Sequence, residues 1–215
     1  MAHMAARQNK QSSQDDEAQA LKVQETRRLI LSKAQQLFME HGYRAVSTRK
    51  IAESCGLTQP ALYHHFRDKQ ELYVAMALEE LAKTQAALER IVRRGEPIQE
   101  RLLHAALYLV SITQHDLNLM LHDIRSELEP EARATLNEAF RTSIVAPIAS
   151  LFAEGIAGGQ FRDARHDGCD PVTAAFLFMS LVSNIVSNEQ RGDAMLSQRE
   201  QARQVIHILL HGLST

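Results

Sequence analysis

Gln59, Thr58, Tyr63, His64 and Lys69 crowd into one short stretch of this chain, and each is of a type that touches nucleic acid. A glutamine amide carries a donor and an acceptor and suits the edge of an adenine. The Thr58 hydroxyl suits a base, a thymine methyl or a phosphate. Tyr63, His64 and Lys69 can donate to phosphates, which fix register but carry no sequence information. Upstream, Ser47, Thr48 and Arg49 open a short helical run, where backbone N–H groups also favour a phosphate. Gln59 and Tyr63 are four residues apart, as are Pro60 and His64, so a helix places all four on one outward face.

The elements that must hold these groups are readable around them. Residues 47–69 form two short amphipathic segments that meet at Cys55-Gly56-Leu57, the layout of a helix-turn-helix. Ser47 is suited to cap the first segment, and Ile51 and Ala52 point inward with Val46 and Leu57 close in sequence. Gly56 stands where a left-handed residue ends a helix. Thr58 caps the second segment, and Pro60 falls in its first turn, where a missing N–H costs little. Ala61, Leu62 and Phe66 make its buried stripe. Asp68 and Glu71 then read as a capping box that opens the next helix.

Gly-Leu-Thr-x-x-Ala-Leu-Tyr-x-His-Phe-x-x-Lys-x-x-Leu, over residues 56–72, resembles the signature of the TetR family of bacterial repressors. Gly42-Tyr43 and Arg49-x-Ile51-Ala52-Glu53 extend the resemblance to residues 24–74. Cys55 stands where family members often have alanine, and it is small and apolar enough for the turn. The resemblance implies that Thr58 and Gln59 approach bases while Tyr63, His64 and Lys69 hold the DNA backbone. It also implies a homodimer on a palindromic operator, with a dimer bundle on the last long helices. A body pocket for a small-molecule effector, with repression relieved by its binding, belongs to the same expectation. Two alternatives stand beside it: an activator, and an architectural DNA-binding protein with no effector.

Charge is unevenly spread along the chain. Net charge is −2 overall, with +5 over residues 21–70 and −6 over residues 71–215, a basic head on an acidic body. Two cysteines are too few for a disulfide framework. No uninterrupted apolar run reaches membrane-spanning length, and no secretory signal is present, so a cytoplasmic protein is expected. Met1-Ala2-His3 reads as an addition ahead of a natural start at Met4. Neither a phosphate-cradling glycine loop nor a nucleophile elbow occurs, so the chain is expected not to be an enzyme. His115 and His122 lie two turns apart, and His207 and His211 are well spaced, but no cysteine or carboxylate cluster completes either pair. No metal or cofactor is expected.

An all-α chain of nine or ten helices is predicted. Residues 1–20 read as a disordered arm, 21–70 as the DNA-binding domain and 71–215 as a helical effector-binding and dimerisation domain. Helices are expected over residues 21–41, from 69 with a break near 79–83, and over 98–114, 116–128, 131–157 with a kink at Pro147, 171–188 and 198–211. Met76, Leu107, Met120, Phe140, Ile144 and Phe178 are candidates to line an apolar pocket for a hydrophobic effector. Phe176, Met179, Ser180, Ser183 and Ser187 mix bulky and small groups on one helix and are the candidate dimer surface.

Overall fold

The computed structural model describes residues 2–113, 124, 126–162, 165, 168–190 and 197–213, and the regular elements among them are all helical. Helix α1 spans Ala2–Ala45 with a non-helical break at Gly42 (φ +77°), just past the residue where the sequence expects it to end, and is followed by α2 Thr48–Ser54, α3 Gln59–Tyr63, α4 Lys69–Val92 and α5 Ile98–Thr113. Most of the helix expected over 116–128 lies outside the described residues. Helix α6 (Pro130–Phe140) runs through a π-helical turn (Arg141–Val145) into α7 (Ala146–Ala157), and α8 (Pro171–Gln190) and α9 (Gln198–Leu213) complete the order.

Three elements differ from expectation. Helix α1 begins at Ala2 and takes in the segment expected to be a disordered arm. No glycine or proline interrupts residues 2–41, and alanine, glutamine and lysine are good helix formers. Helix α4 is unbroken. Where the break was expected, Lys83 instead ties itself to Glu79 at 3.0 Å and Glu80 at 2.7 Å, pairs that support a helix. The kink expected at Pro147 takes the form of a widened turn. Proline offers no N–H and its ring crowds the carbonyl four residues back, here that of Ser143. The chain answers with a π turn just before it, in which the Ala146 N–H donates to the Arg141 carbonyl.

The chain divides into two compact units, Met1–Met76 and Ala77–Thr215, with the division inside α4. In the first, Ile30, Ala34 and Phe38 of α1 meet Ile51 and Ala52 of α2, Leu62 of α3, Phe66, and Leu72 and Tyr73 of α4, all buried. Phe38, Tyr43 and Tyr73 add a ring cluster: Tyr73 meets Phe38 and Tyr43 edge-on at 5.1 Å, and Phe38 stacks on Tyr43 at 5.8 Å. Helix α2 ends in a Schellman motif. Gly56 takes φ +68°, the Leu57 N–H donates to the Ala52 carbonyl at 2.9 Å, and the Gly56 N–H donates to the Glu53 carbonyl at 3.1 Å.

In the second unit α5 packs against α7, α8 and α9. Leu102, Ala106 and Val110 of α5 meet Ile148, Leu151 and Phe152 of α7, Ala175 and Phe178 of α8, and Ala202 and Ile206 of α9. The chain doubles back after α7, and the Phe161 ring lies directly on Gly155, in the space a side chain there would need. Arg101 of α5 is buried and grips Glu154 of α7 with two guanidinium nitrogens while donating to the Val92 carbonyl at 2.8 Å. The unbroken stretch Pro130–Ala157 is long and apolar enough, by length and composition, to cross a membrane. Its apolar face (Leu136, Ile144, Ile148, Leu151, Phe152) is buried, which accounts for the composition.

Candidate nucleic-acid interface

Both short helices of the first unit start on the side-chain caps the sequence predicts. Ser47 Oγ accepts from the Lys50 N–H at 3.1 Å, and Thr58 Oγ1 accepts from the Ala61 N–H at 3.4 Å. Each cap uses an oxygen lone pair and leaves the hydroxyl proton to donate elsewhere. Asp68 Oδ1 accepts from the Glu71 N–H at 2.7 Å, and Glu71 Oε2 reaches back to the Arg67 N–H at 2.7 Å, one residue earlier than an ideal capping box. Those backbone bonds hold the Asp68 carboxyl below the usual carboxylate range. It is therefore charged at the N-terminus of α4, where the helix dipole favours a negative group.

The outward face of α3 carries exposed Thr58, Pro60, Tyr63 and His64, with Gln59 half-buried among them. Gln59 Nε2 lies 3.1 Å from Thr48 Oγ1 and 3.4 Å from Tyr63 Oη, and the two hydroxyls are 3.1 Å apart. Donors around its oxygen pull the Tyr63 phenol below its ordinary range. Thr48 differs from expectation. It is 8% exposed, and its hydroxyl faces α3, not solvent. Arg49 is exposed and donates from Nε to Glu53 one turn on, at 2.9 Å. That ion pair is easily exchanged, since exposed pairs are worth little.

Lys69 places Nζ 4.1 Å over the Tyr43 ring. Tyr43 thus supports a predicted phosphate donor, a role that the Gly42-Tyr43 pairing did not reveal. Arg27 likewise lies 4.3 Å over Phe66. Burial pushes the thiols of Cys55 and Cys169 up, away from the reactive thiolate range.

Of the six residues expected to line an effector pocket, four belong to the core of the second unit or pack against it. Phe178 is fully buried and meets Phe152 edge-on at 6.2 Å, and Ile144 is buried in the same core. Leu107 and Phe140 pack half-buried against that core, Met76 falls in the first unit, and Met120 lies outside the described residues. An open groove of about 290 Å³ lies elsewhere, between Gln85, Glu89, Val92 and Arg93 on α4 and Thr142, Ala146, Pro147 and Ser150 by the π turn.

On α8, Phe176 is 48% exposed, Ser180 and Ser183 are exposed, Met179 is half-buried, and the Ser187 side chain lies outside the described residues. The serine hydroxyls donate back to the carbonyls of Phe176 and Met179, at 2.9 Å each. Val172 and Leu177 on α8 and Ile208 on α9 add exposed apolar surface that the sequence did not single out. Val172 precedes Phe176 by one helical turn, a signal that was available.

Residues 30–76 match the family model described as bacterial regulatory proteins, tetR family. The transcriptional repressor AcnR of Corynebacterium diphtheriae is 32% identical over 97 residues, which are 44% of this chain and 50% of that protein. The chain thus spans half the length of that curated relative. Among solved structures, the regulator FadR of Bacillus subtilis in complex with stearoyl-CoA superposes with a TM-score of 0.71 at 19% identity, covering 86% of this chain and 98% of that one. AibR in complex with isovaleryl coenzyme A and operator DNA gives a TM-score of 0.64 at 22% identity, covering 85% and 97%. At these identities the two structures establish the shared fold.

Proposed function

We propose that this chain, whose residues 30–76 match the tetR family of bacterial regulatory proteins, is a repressor that binds a palindromic operator as a homodimer and is released by a small hydrophobic molecule. In this reading it is a DNA-binding regulator and not an enzyme. The observation that carries the finer reading is the face of α3. Thr58, Gln59, Tyr63 and His64 lie together on a helix capped at its start, with base-reading and phosphate-binding groups side by side. Ser47, Arg49 and Lys69 flank it as backbone contacts.

One such helix reads only a few base pairs, so two copies on a twofold axis are needed for a defined site. The exposed stripe of Val172, Phe176, Ser180 and Ser183 on α8, with Ile208 on α9, supports a dimer through these helices. In this reading residues 21–70 bind DNA and 71–215 carry the effector site and the dimer surface. A hydrophobic effector fits the acyl thioesters that FadR and AibR hold. A cytoplasmic location accompanies these roles.

Selection of bound fragments from sheared DNA of the source organism, followed by sequencing, tests this. Enrichment of a palindrome is expected. Uniform recovery that falls steeply with salt would instead favour the architectural reading.

A further inference from the structure

Thr48 is buried beneath the recognition face, yet it carries a hydroxyl and spends it on two residues of another helix. The oxygens of Thr48 and Tyr63 and the amide nitrogen of Gln59 form a nearly equilateral triangle with sides of 3.1, 3.1 and 3.4 Å. Its corner at the nitrogen is therefore roughly 60°, half the ~120° between the two N–H bonds of an amide. Only one N–H fits into the triangle, shared between the two oxygens.

Which way round the amide sits follows from counting protons. With nitrogen inward, the shared N–H serves both hydroxyl oxygens, and one hydroxyl proton bridges them. All three contacts are then hydrogen bonds. With the carbonyl inward, two hydroxyl protons must serve three oxygen–oxygen contacts, and one contact is left bare. Nitrogen inward is the better arrangement. Thr48 is the buried hydroxyl and Tyr63 the exposed one. The Thr48 proton accordingly bridges to Tyr63, and the Tyr63 proton turns outward.

A primary amide has one N–H beside its carbonyl and one pointing back along the side chain. The backward N–H is the one that can reach its own helix and its neighbour. The carbonyl and the N–H beside it remain as a donor–acceptor pair, the pair that matches adenine N6 and N7. Guanine presents two acceptors at the same place, and a carbonyl held facing them is repelled.

We propose that Thr48 is a positioning residue that locks the Gln59 amide in one orientation and thereby makes it select adenine over guanine. This rests on the reading that α3 enters the major groove. Thr48 touches no base in this scheme. It acts by denying Gln59 the rotation that would let its NH₂ group serve a guanine.

The test compares the full-length protein with Thr48→Val and Thr48→Ser variants on randomised operator DNA. Gln59→Ala marks which position Gln59 reads. Valine keeps the shape of threonine and removes the hydroxyl. It is expected to lower the adenine-over-guanine preference at that position about five- to tenfold. Preference at the other positions and affinity for nonspecific DNA stay at wild-type levels, and serine retains the full preference. A valine variant with undiminished adenine preference overturns the proposal. So does a loss spread equally over all positions, which marks a phosphate or folding role. If melting curves show the valine variant unfolded, Tyr63→Phe takes its place. Its ring is nearly half exposed, and it removes the other oxygen of the triangle. The same fall in preference at the Gln59 position is expected, on top of a uniform loss from the missing phosphate donor; an unchanged preference there overturns the proposal. A wild-type protein that enriches no palindrome overturns the underlying reading with it. A palindrome with an unaffected valine variant overturns only the role of Thr48.

Discussion

Helices α3 and α8 both turn a face to solvent, and the two faces treat their hydroxyls in opposite ways. On α3, five residues long, hydroxyl and amide groups bond across to side chains, so that directed donors and acceptors point outward. On α8, twenty residues long, the serines fold their protons back onto the backbone one turn earlier, and Val172, Phe176 and Leu177 stand exposed beside them. A face that meets phosphates and base edges needs polar groups that are aimed and still available. A face that meets another apolar helix needs its polar groups already satisfied, because an unmet donor in a dry contact costs more than it returns. The contrast gives each surface its own mode of failure.

The largest effect is expected on the α8 face. Phe176→Asp places a charge on the proposed dimer surface at a side chain that is half exposed in the protomer. Sedimentation is expected to show monomers of unchanged helicity. Operator affinity falls on the order of a hundredfold or more as the gain from joining two half-sites is lost. A dimer that persists would move the interface off α8. Gly155→Ala separates surface from core. A methyl there collides with the Phe161 ring, and a loss of about 2–3 kcal/mol of stability is expected by denaturant titration. Base preference stays unchanged in whatever fraction remains folded.

On the α3 face, Gln59→Ala is expected to cost about 1–3 kcal/mol of specific binding and to relax preference at one operator position. Intact preference would remove Gln59 from the bases. Lys69→Ala differs in kind: it weakens binding to every sequence and lowers the salt dependence by about one unit of slope.

The smallest effect belongs to neither face. The Arg101 guanidinium holds the Glu154 carboxyl below its ordinary 4.5. A depressed carboxylate stabilises the fold above its unfolded value and gives that up as pH falls through the lower, folded value. Glu154 is half exposed, so its share is about 1 kcal/mol. The melting temperature of Glu154→Gln is expected to lie below wild type at pH 7 and to converge with it as pH falls from 4.5 through the lower, folded value. Curves that stay parallel would assign the pH dependence elsewhere.

Much of the first unit was legible in advance because its signals are local. Ser47 and Thr58 cap, Gly56 turns left-handed and Leu62 and Phe66 are buried, each as expected from a few neighbouring residues. The burial of the Thr48 side chain was not legible, because a seven-residue helix covered by another has no periodicity long enough to set its inner side. In the second unit, apolar residues announce burial but not whether they enclose a space. Phe178 and Ile144, expected at pocket walls, are buried in the core of the second unit, a position that apolar residues lining an enclosed space share. The full extent of α1 was missed because the polar residues of its first turns lack an apolar stripe, while nothing in them forbids a helix.

Phase gives the π turn a further meaning. Leu136, Ile144, Ile148 and Phe152 are buried at multiples of four residues, while an α-helix comes back to the same side after 3.6. Each step of four overshoots by roughly 40°, and sixteen residues of uninterrupted α-helix would turn Phe152 about 160° away from Leu136. The wide turn at Arg141–Val145 takes up one residue without advancing the rotation by its usual 100° or so, and the stripe stays on one side. A single residue deleted within 141–145 would let the turn close to α without rotating α7. The same deletion a few residues later would swing Leu151 and Phe152 out of the core. The bulge thus marks the place along this helix where the chain can change length and keep its facing.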